Sequence, residues 1–275
     1  MSEPSPVTRA IVIAAGRGKR LGPHTEELPK CLVQVGARPI LGWQLAALAA
    51  VGVDDVVLIR GYRGDVLEAG ARALAPAGMR LTFVDNREWE HNNILLSLAC
   101  ARAELDRPAY LTYSDIIFTP PVTRALAAAP GVIDLVIDAA FRDIYVGRTE
   151  HPLEEGEVSD LDAAGRVRRV GKRALPPDEA HGEFIGLLRV AAAGVAALTG
   201  ALDAALARHA DRLDAPYQRA ARFQNAYLTD LLQDLIDQGV PLTPVTIHGQ
   251  WREIDTGQDL ERAVALVESR PEEWP

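Results

Sequence analysis

Ala10-Ile11-Val12-Ile13-Ala14-Ala15-Gly16-Arg17-Gly18-Lys19-Arg20-Leu21-Gly22, with Pro29-Lys30 close behind it, is the stretch that decides the fold. An apolar run of strand length feeds a loop with glycine at 16, 18 and 22 and cations at 17, 19 and 20. Lacking Cβ, glycine lets backbone N–H groups close on an anion and takes positive φ at little cost. The cations add charge, so a loop of this kind grips a polyphosphate. Its spacing excludes two common designs. The dinucleotide fingerprint needs a third glycine where Leu21 stands, and a Walker loop ends in Gly-Lys-Ser/Thr, whereas Arg20-Leu21 offers no hydroxyl to Mg²⁺.

Working outward, apolar runs alternate with longer amphipathic stretches. Strands are predicted at Ala10–Ala14, Val56–Ile59, Leu81–Val84, Ala109–Tyr113, Leu135–Ala139, Gly186–Val190 and Leu242–Ile247. Helices are predicted at Pro39–Val51, Gly64–Leu74, Asn92–Ala101, Pro121–Ala128, Ala193–Arg208, Asn225–Gln238 and Gln258–Glu268. This alternation makes βαβ units and a largely parallel sheet covered on both faces. Pro39 suits a first helical turn, and Thr256 an N-cap. The rhythm breaks between 142 and 182, where Val158–Val170 reads as a hairpin turning at Asp162–Gly165, an insertion of the kind that forms a lid or acceptor-side subdomain.

The chain of 275 residues is 48% hydrophobic and 24% charged, which is ordinary for a globular protein. Its net charge of −9 argues against a nucleic-acid partner, while the cations gathered in one loop mark a local anion site. Cys31 and Cys100 have no metal-type spacing and are expected to be small buried residues of a reducing, cytoplasmic protein. Met1–Thr8 lacks the features of a signal peptide, and no run is long enough to cross a bilayer, so no membrane partner is expected.

The pattern Ala14-Ala15-Gly16-x-Gly18-x-Arg20-Leu21-Gly22 with Pro29-Lys30 resembles the signature of the nucleotidyltransferase superfamily. Asn92-Asn93 through Ser97-Leu98, Tyr113-Ser114-Asp115, Gly182-Glu183-Phe184-Ile185-Gly186 and Trp251 through Asp255-Thr256 resemble the cytidylyltransferases that act on phosphocholine and 2-aminoethylphosphonate. The resemblance spans about residues 9 to 268. It implies an α/β fold of the Rossmann-like three-layer α/β/α nucleotidyltransferase type, with a mixed, mostly parallel sheet. One domain would cover 1–275, with the acceptor-side insertion at about 142–182. CTP and a small phosphonate or phosphomonoester would be the substrates, Mg²⁺ the cofactor, and a homodimer an assembly open to the chain. A sugar-1-phosphate nucleotidyltransferase using UTP, dTTP or GTP shares the loop chemistry and is the alternative. An oxidoreductase fails on glycine spacing, and a noncatalytic sensor has no need of two metal carboxylates.

Joining an acceptor oxygen to the α-phosphorus of CTP brings two anions together, so charge neutralisation and in-line positioning dominate. Arg20 and the loop amides of Ala14, Ala15, Gly16 and Gly18 would hold the distal phosphates, and Lys30 the α-phosphate. Asp115 and Asp255, each following an apolar run, would share Mg²⁺, which prefers carboxylate and phosphate oxygen; Glu253 is a weaker candidate. Tyr62, Asn93, Ser97 and Ser114 are candidates for the nucleotide pocket, with Asn92 as a helix cap. Arg142, Arg148, His151 and Lys172 are cations near the hairpin, and Lys172 in Val170-Gly171-Lys172 resembles a substrate-phosphoryl lysine. A quaternary ammonium would call on aromatics such as Trp89, Phe118, Phe141 and Tyr145. A primary amine would call on Asp143, Glu157 or Glu183.

Overall fold

The computed structural model describes residues 7–274; residues 1–6, most of the stretch weighed above as a leader, lie outside the described residues. The first half of the chain runs β1 (Arg9–Ala14), a short pair β2 (Gln34–Val35) and β3 (Arg38–Pro39), α1 (Ile40–Ala49), β4 (Asp55–Arg60), α2 (Gly64–Leu74), β5 (Arg80–Asp85), α3 (Ile94–Cys100), β6 (Ala109–Tyr113) and β7 (Ile116–Phe118). There follow α4 (Pro120–Ala127), β8 (Ile133–Asp138), α5 (Phe141–Tyr145), β9 (Glu157–Leu161), β10 (Val167–Lys172), β11 (Gly182–Val190), α6 (Ala192–His209), α7 (Leu228–Asp237), β12 (Leu242–Ile247), β13 (Trp251–Glu253) and α8 (Gly257–Ser269).

Strand β1 shows why the sheet is covered on both sides. Ala10, Val12 and Ala14 enter one hydrophobic cluster, and Ile11, Ile13 and Ala15 enter another. Alternate strand side chains point to opposite faces, so a run apolar at every position must be buried on both. In β4, Val56 and Leu58 likewise oppose Val57 and Ile59. Helices α1, α2 and α4 share one layer, and α3, α6 and α7 the other. A third cluster joins α8 to β7 through Ile117, Ile254, Leu260 and Val267.

The central sheet has nine strands. Strands β5, β4, β1 and β6 are parallel neighbours, and β12 runs parallel to β8. Strand β11 reverses direction and pairs antiparallel with β6, β8 and β9, which makes the sheet mixed. The predicted hairpin forms as β9 and β10, with Gly165 N donating to Asp162 O across its turn. It is continuous with the main sheet: Gly182 and Glu183 of β11 pair with Ser159 and Val158. Backbone pairing thus makes the hairpin, read from the sequence as a lid or acceptor-side subdomain, an extension of the core sheet.

Other departures are local. Pro39 stands at the N-cap of α1, just before its first turn. Thr256 caps α8 as expected, its Oγ1 accepting from Asp259 N at 3.2 Å. Cys31 is buried, but Cys100 is exposed at the end of α3, contrary to the expectation for both. No helix among the described residues is long and apolar enough to cross a membrane. Strand β11 starts four residues earlier than the apolar run suggested, because Gly186 interrupts it. Gly186 adopts φ +83°, the β11–β8 register shifts across it, and a Cβ there would lie 2.7 Å from Tyr113 Cγ. Replacing it with alanine adds left-handed strain and a ring clash together. Gly186→Ala is expected to lower unfolding free energy by about 2–4 kcal/mol in urea titrations; a loss under about 0.5 kcal/mol would contradict this account of the bulge.

Candidate active site

The parallel pairing of β1 and β6 sets Ile13 beside Tyr113, so the glycine loop and Ser114–Asp115 leave the same edge of the sheet. Ligands of open α/β sheets bind at such carboxyl ends. Asp255 reaches this edge by a separate device. Strand β13 pairs antiparallel with β7, setting Glu253 opposite Ile116, and Ile254 N donates to Asp115 O at 2.8 Å. Two aspartates from distant parts of the chain are thereby held side by side.

Lys30 lies between them. It opens a single 3₁₀ turn after Pro29, and its stem runs beneath Gly18; a Cβ at Gly18 (φ +71°) would stand 2.8 Å from Lys30 Cδ. Glycine at 18 therefore serves the lysine as well as the loop. Lys30 Nζ donates to Asp115 Oδ2 at 3.0 Å and to Asp255 Oδ1, and is 7% exposed. Burial alone would lower its pKa, but Asp115 and Asp255 hold the ammonium well above its ordinary range. Burial likewise disfavours the Asp255 carboxylate, yet Lys30, His151 and Arg20 keep it far below the usual range. Half-exposed Arg20 donates to Asp255 Oδ2 and, at 3.4 Å, to Glu155 Oε2.

Behind this centre, buried Arg148 bonds Asp259 Oδ1 at 2.6 Å and Glu253 Oε2 at 2.8 Å. Ligand atoms of His151, Glu253 and Asp255 lie within 4.8 Å of one another, a grouping that could hold a cation. An Arg148 nitrogen already stands 3.1 Å from His151 Nδ1 and contacts Glu253, so a guanidinium serves this group. Asp115 lines the cleft, and its Oδ1 is buried with no hydrogen-bond partner among the described residues.

The cleft also gathers acids. The cavity, about 270 Å³, is lined by Glu157, Glu183 and Glu253 and by Lys172 and Tyr227 as well as by the glycine loop. Lys172 Nζ lies 4.7 Å from the centre of the Tyr227 ring. Glu157 accepts from Tyr113 Oη at 2.9 Å and Thr229 Oγ1 at 3.1 Å. Glu183 Oε1 accepts from Tyr145 Oη at 2.8 Å, while its Oε2 is buried without a partner. Burial, opposed by Lys172, pushes the Glu157 carboxyl up to about 7. Burial, reinforced by Glu253, pushes Glu183 up to about 8.

Ala15, Gly16, Gly18, Arg20, Lys30, Asn93, Ser114, Asp115, Lys172 and Asp255 all line the cleft. Others named from the sequence do not. Ala14 turns its side chain into the core. Tyr62 packs on Trp89 and donates its hydroxyl to Glu26 O, bracing the loop through Tyr62 N to Ala15 O at 2.9 Å. Ser97 is buried and accepts from Asn86 Nδ2 at 2.9 Å. Asn92 pairs with Asn86 instead of capping; Asn93 takes the N-cap position and donates to Asn225 O at 3.0 Å. Arg142 ties down Pro177 and Ala180 carbonyls, and exposed Asp143 is not part of the cavity lining. Of the aromatics suggested for a cage, Phe118 and Phe141 are core residues, Trp89 packs on Tyr62, and Tyr145 supports Glu183. The rings that do line the cleft are Tyr113, Phe184, Tyr227 and Trp251. Tyr227 gave no sequence signal, since it enters from the turn before α7.

A glycine–cation loop, a buried lysine between two aspartates and a mixed α/β sheet define a nucleotidyltransferase. Residues 10–174 match the MobA-like NTP transferase domain, and the chain belongs to that family. It is 29% identical over 258 residues to CTP:phosphoglutamine cytidylyltransferase of Campylobacter jejuni, covering 92% of this chain and 97% of that protein. It is 43% identical over 125 residues to CMP-5'-(3-aminopropyl)phosphonate synthase of Streptomyces rubellomurinus, covering 44% of this chain and 19% of that one. In fold it is similar to the inositol-1-phosphate CTP transferase of T. maritima, with a TM-score of 0.70, 20% identity and coverage of 97% and 98%.

The neutral state of Glu183 has a thermodynamic consequence. Its folded pKa of about 8 exceeds the ordinary 4.5, so the folded protein holds a proton that the unfolded chain releases between those values, and stability falls as pH rises through that window. Glu183→Gln removes the effect. Its Tm relative to wild type is expected to be more favourable at pH 9 than at pH 5; an equal offset at both would contradict the assignment.

Proposed function

We propose that the protein is a CTP-dependent cytidylyltransferase that joins CMP to a small, amine-bearing phosphonate or phosphomonoester and releases pyrophosphate. The observation that carries this reading is Lys30, buried between Asp115 and Asp255 beside the glycine loop. The relative named for CTP and phosphoglutamine supports the choice of base and of a small phosphoryl-bearing acceptor, and the one named for aminopropylphosphonate supports an amine-bearing phosphonate. Loop amides and Arg20 bind the β- and γ-phosphates. Lys30 turns to the α-phosphate and offsets the charge that grows as an acceptor oxygen attacks phosphorus and the bond to pyrophosphate breaks.

Asp115 and Asp255 would hold Mg²⁺, a donor set of hard oxygens for which the unpartnered Asp115 Oδ1 leaves a ligand atom free. Held there, such an ion would supply positive charge beside the phosphates, and Lys30, which donates to the same two carboxylates, would be the side chain able to turn to the nucleotide. Lys172 receives the acceptor's phosphoryl group, and Glu157 and Glu183 its ammonium, which is the cation that would draw their carboxyls into the ionised form.

Pyrophosphate release across a matrix of nucleoside triphosphates and acceptors tests the reading. Turnover is expected with CTP and an amine-bearing phosphonate or phosphomonoester; activity confined to UTP or dTTP with a hexose-1-phosphate would contradict it. Lys30→Gln is expected to lower kcat per folded molecule by about 10²–10³-fold, the scale of losing a group that stabilises transition-state charge; near-wild-type turnover would remove Lys30 from the reaction. Lys172→Ala is expected to raise the acceptor KM while CTP affinity stays within about twofold, and a selective loss of CTP affinity would move Lys172 to the nucleotide side.

A further inference from the structure

Behind Lys172 and Tyr227 lies a second cavity of about 560 Å³ that the chemistry above does not use. Glu155, Lys172 and Tyr227 belong to the walls of both spaces, so the two adjoin at the lysine assigned to the acceptor phosphoryl. Two arginines also line it. Arg173 directly follows Lys172 and has a left-handed backbone at φ 54°, a conformation a long L-side chain adopts only where its surroundings impose it. Arg219 follows Gln218, left-handed at φ 51°, and its backbone N–H donates to Asp230 Oδ1 at 3.1 Å, which ties its loop to the first turn of α7. Both side chains are exposed, and neither guanidinium is hydrogen-bonded or ion-paired among the described residues.

The acids on this wall are mostly engaged. Asp230 also accepts from Tyr227 N at 2.8 Å, and Glu155 faces Arg20. Glu154 is exposed, and Asp230 stands within electrostatic reach of Arg219, so three acids and the three cations Lys172, Arg173 and Arg219 share this wall. The wall is balanced in charge, but the guanidiniums of Arg173 and Arg219 have no acceptor among the described residues, and their planar forks suit a carboxylate. The adjoining cleft meanwhile offers Glu157 and Glu183 to a cation.

We propose that the second cavity binds a carboxylate of the acceptor, so that the acceptor is a phosphorylated or phosphonylated amino acid and not an amino alcohol. The inference rests on the cleft being the acceptor site of a cytidylyltransferase. Matched acceptor pairs test it: O-phosphoserine against O-phosphoethanolamine, and 2-amino-4-phosphonobutanoate against 3-aminopropylphosphonate, each pair differing only in the carboxylate. With CTP and pyrophosphate release as readout, the carboxylate-bearing member of at least one pair is expected to have a kcat/KM about tenfold higher or more. That ratio is expected to fall toward one in Arg173→Ala/Arg219→Ala. Ratios at or below one in both pairs, with turnover of the carboxylate-free members, overturn this inference and leave cytidylyl transfer standing. A ratio unchanged in the double variant overturns the assignment of the two arginines. Pyrophosphate release with none of the four acceptors overturns the inference together with the reading it rests on.

Discussion

A buried ammonium shared by two aspartates is the constraint around which this molecule is arranged. Lys30 at 7% exposure and Asp255 at 7% could not sit in the interior singly, because removing one partner of a buried pair costs about 3–5 kcal/mol. The charges tolerate burial only in combination, and the architecture supplies the combination from three places in the chain. The loop after β1 makes room for the lysine stem at Gly18, the end of β6 delivers Asp115, and the β7–β13 pairing delivers Asp255.

The cleft carries both signs of charge. Arg20 and Lys30 accompany the glycine loop, and the same cavity is also lined by buried Glu157 and Glu183 and by partly exposed Glu253. Burial lifts the Glu157 and Glu183 carboxyls toward neutrality, which lets the protein fold without an unpaired anion there. Tyr113, Thr229 and Tyr145 donate hydrogen bonds to these acids and fix their orientation. The sheet extension formed by β9 and β10 carries Glu157 and Lys172 to the cavity.

Much of this was legible in the sequence. Strands β6 and β12 and helix α2 match their predicted bounds, since apolar runs flanked by turn residues leave little choice of register. Gly16, Gly18, Arg20, Lys30, Asp115, Asp255 and Lys172 come to one cleft because loops and strand ends, where such residues stood, share one edge of the sheet. Ser97 and Tyr62 stand off the cleft lining for a common reason: helical spacing and loop position say which way a residue can face, but not that Asn86 or Trp89 will occupy that direction. The β7–β13 pairing was invisible, because three-residue strands carry no periodicity. Tyr227 and the second cavity depend on how a long irregular segment folds back on β10, which local pattern does not encode.

The shared ammonium is tested most directly by a double-mutant cycle on unfolding free energy with Lys30→Met and Asp255→Asn. Each single change takes a main partner from a buried charge, leaving Lys30 with Asp115 or Asp255 with Arg20 and His151, whereas the pair removes both charges. The account requires the double variant to be more stable than the sum of the two single losses allows, by at least about 1 kcal/mol. Losses that simply add would show that Lys30 and Asp255 are not held by one another.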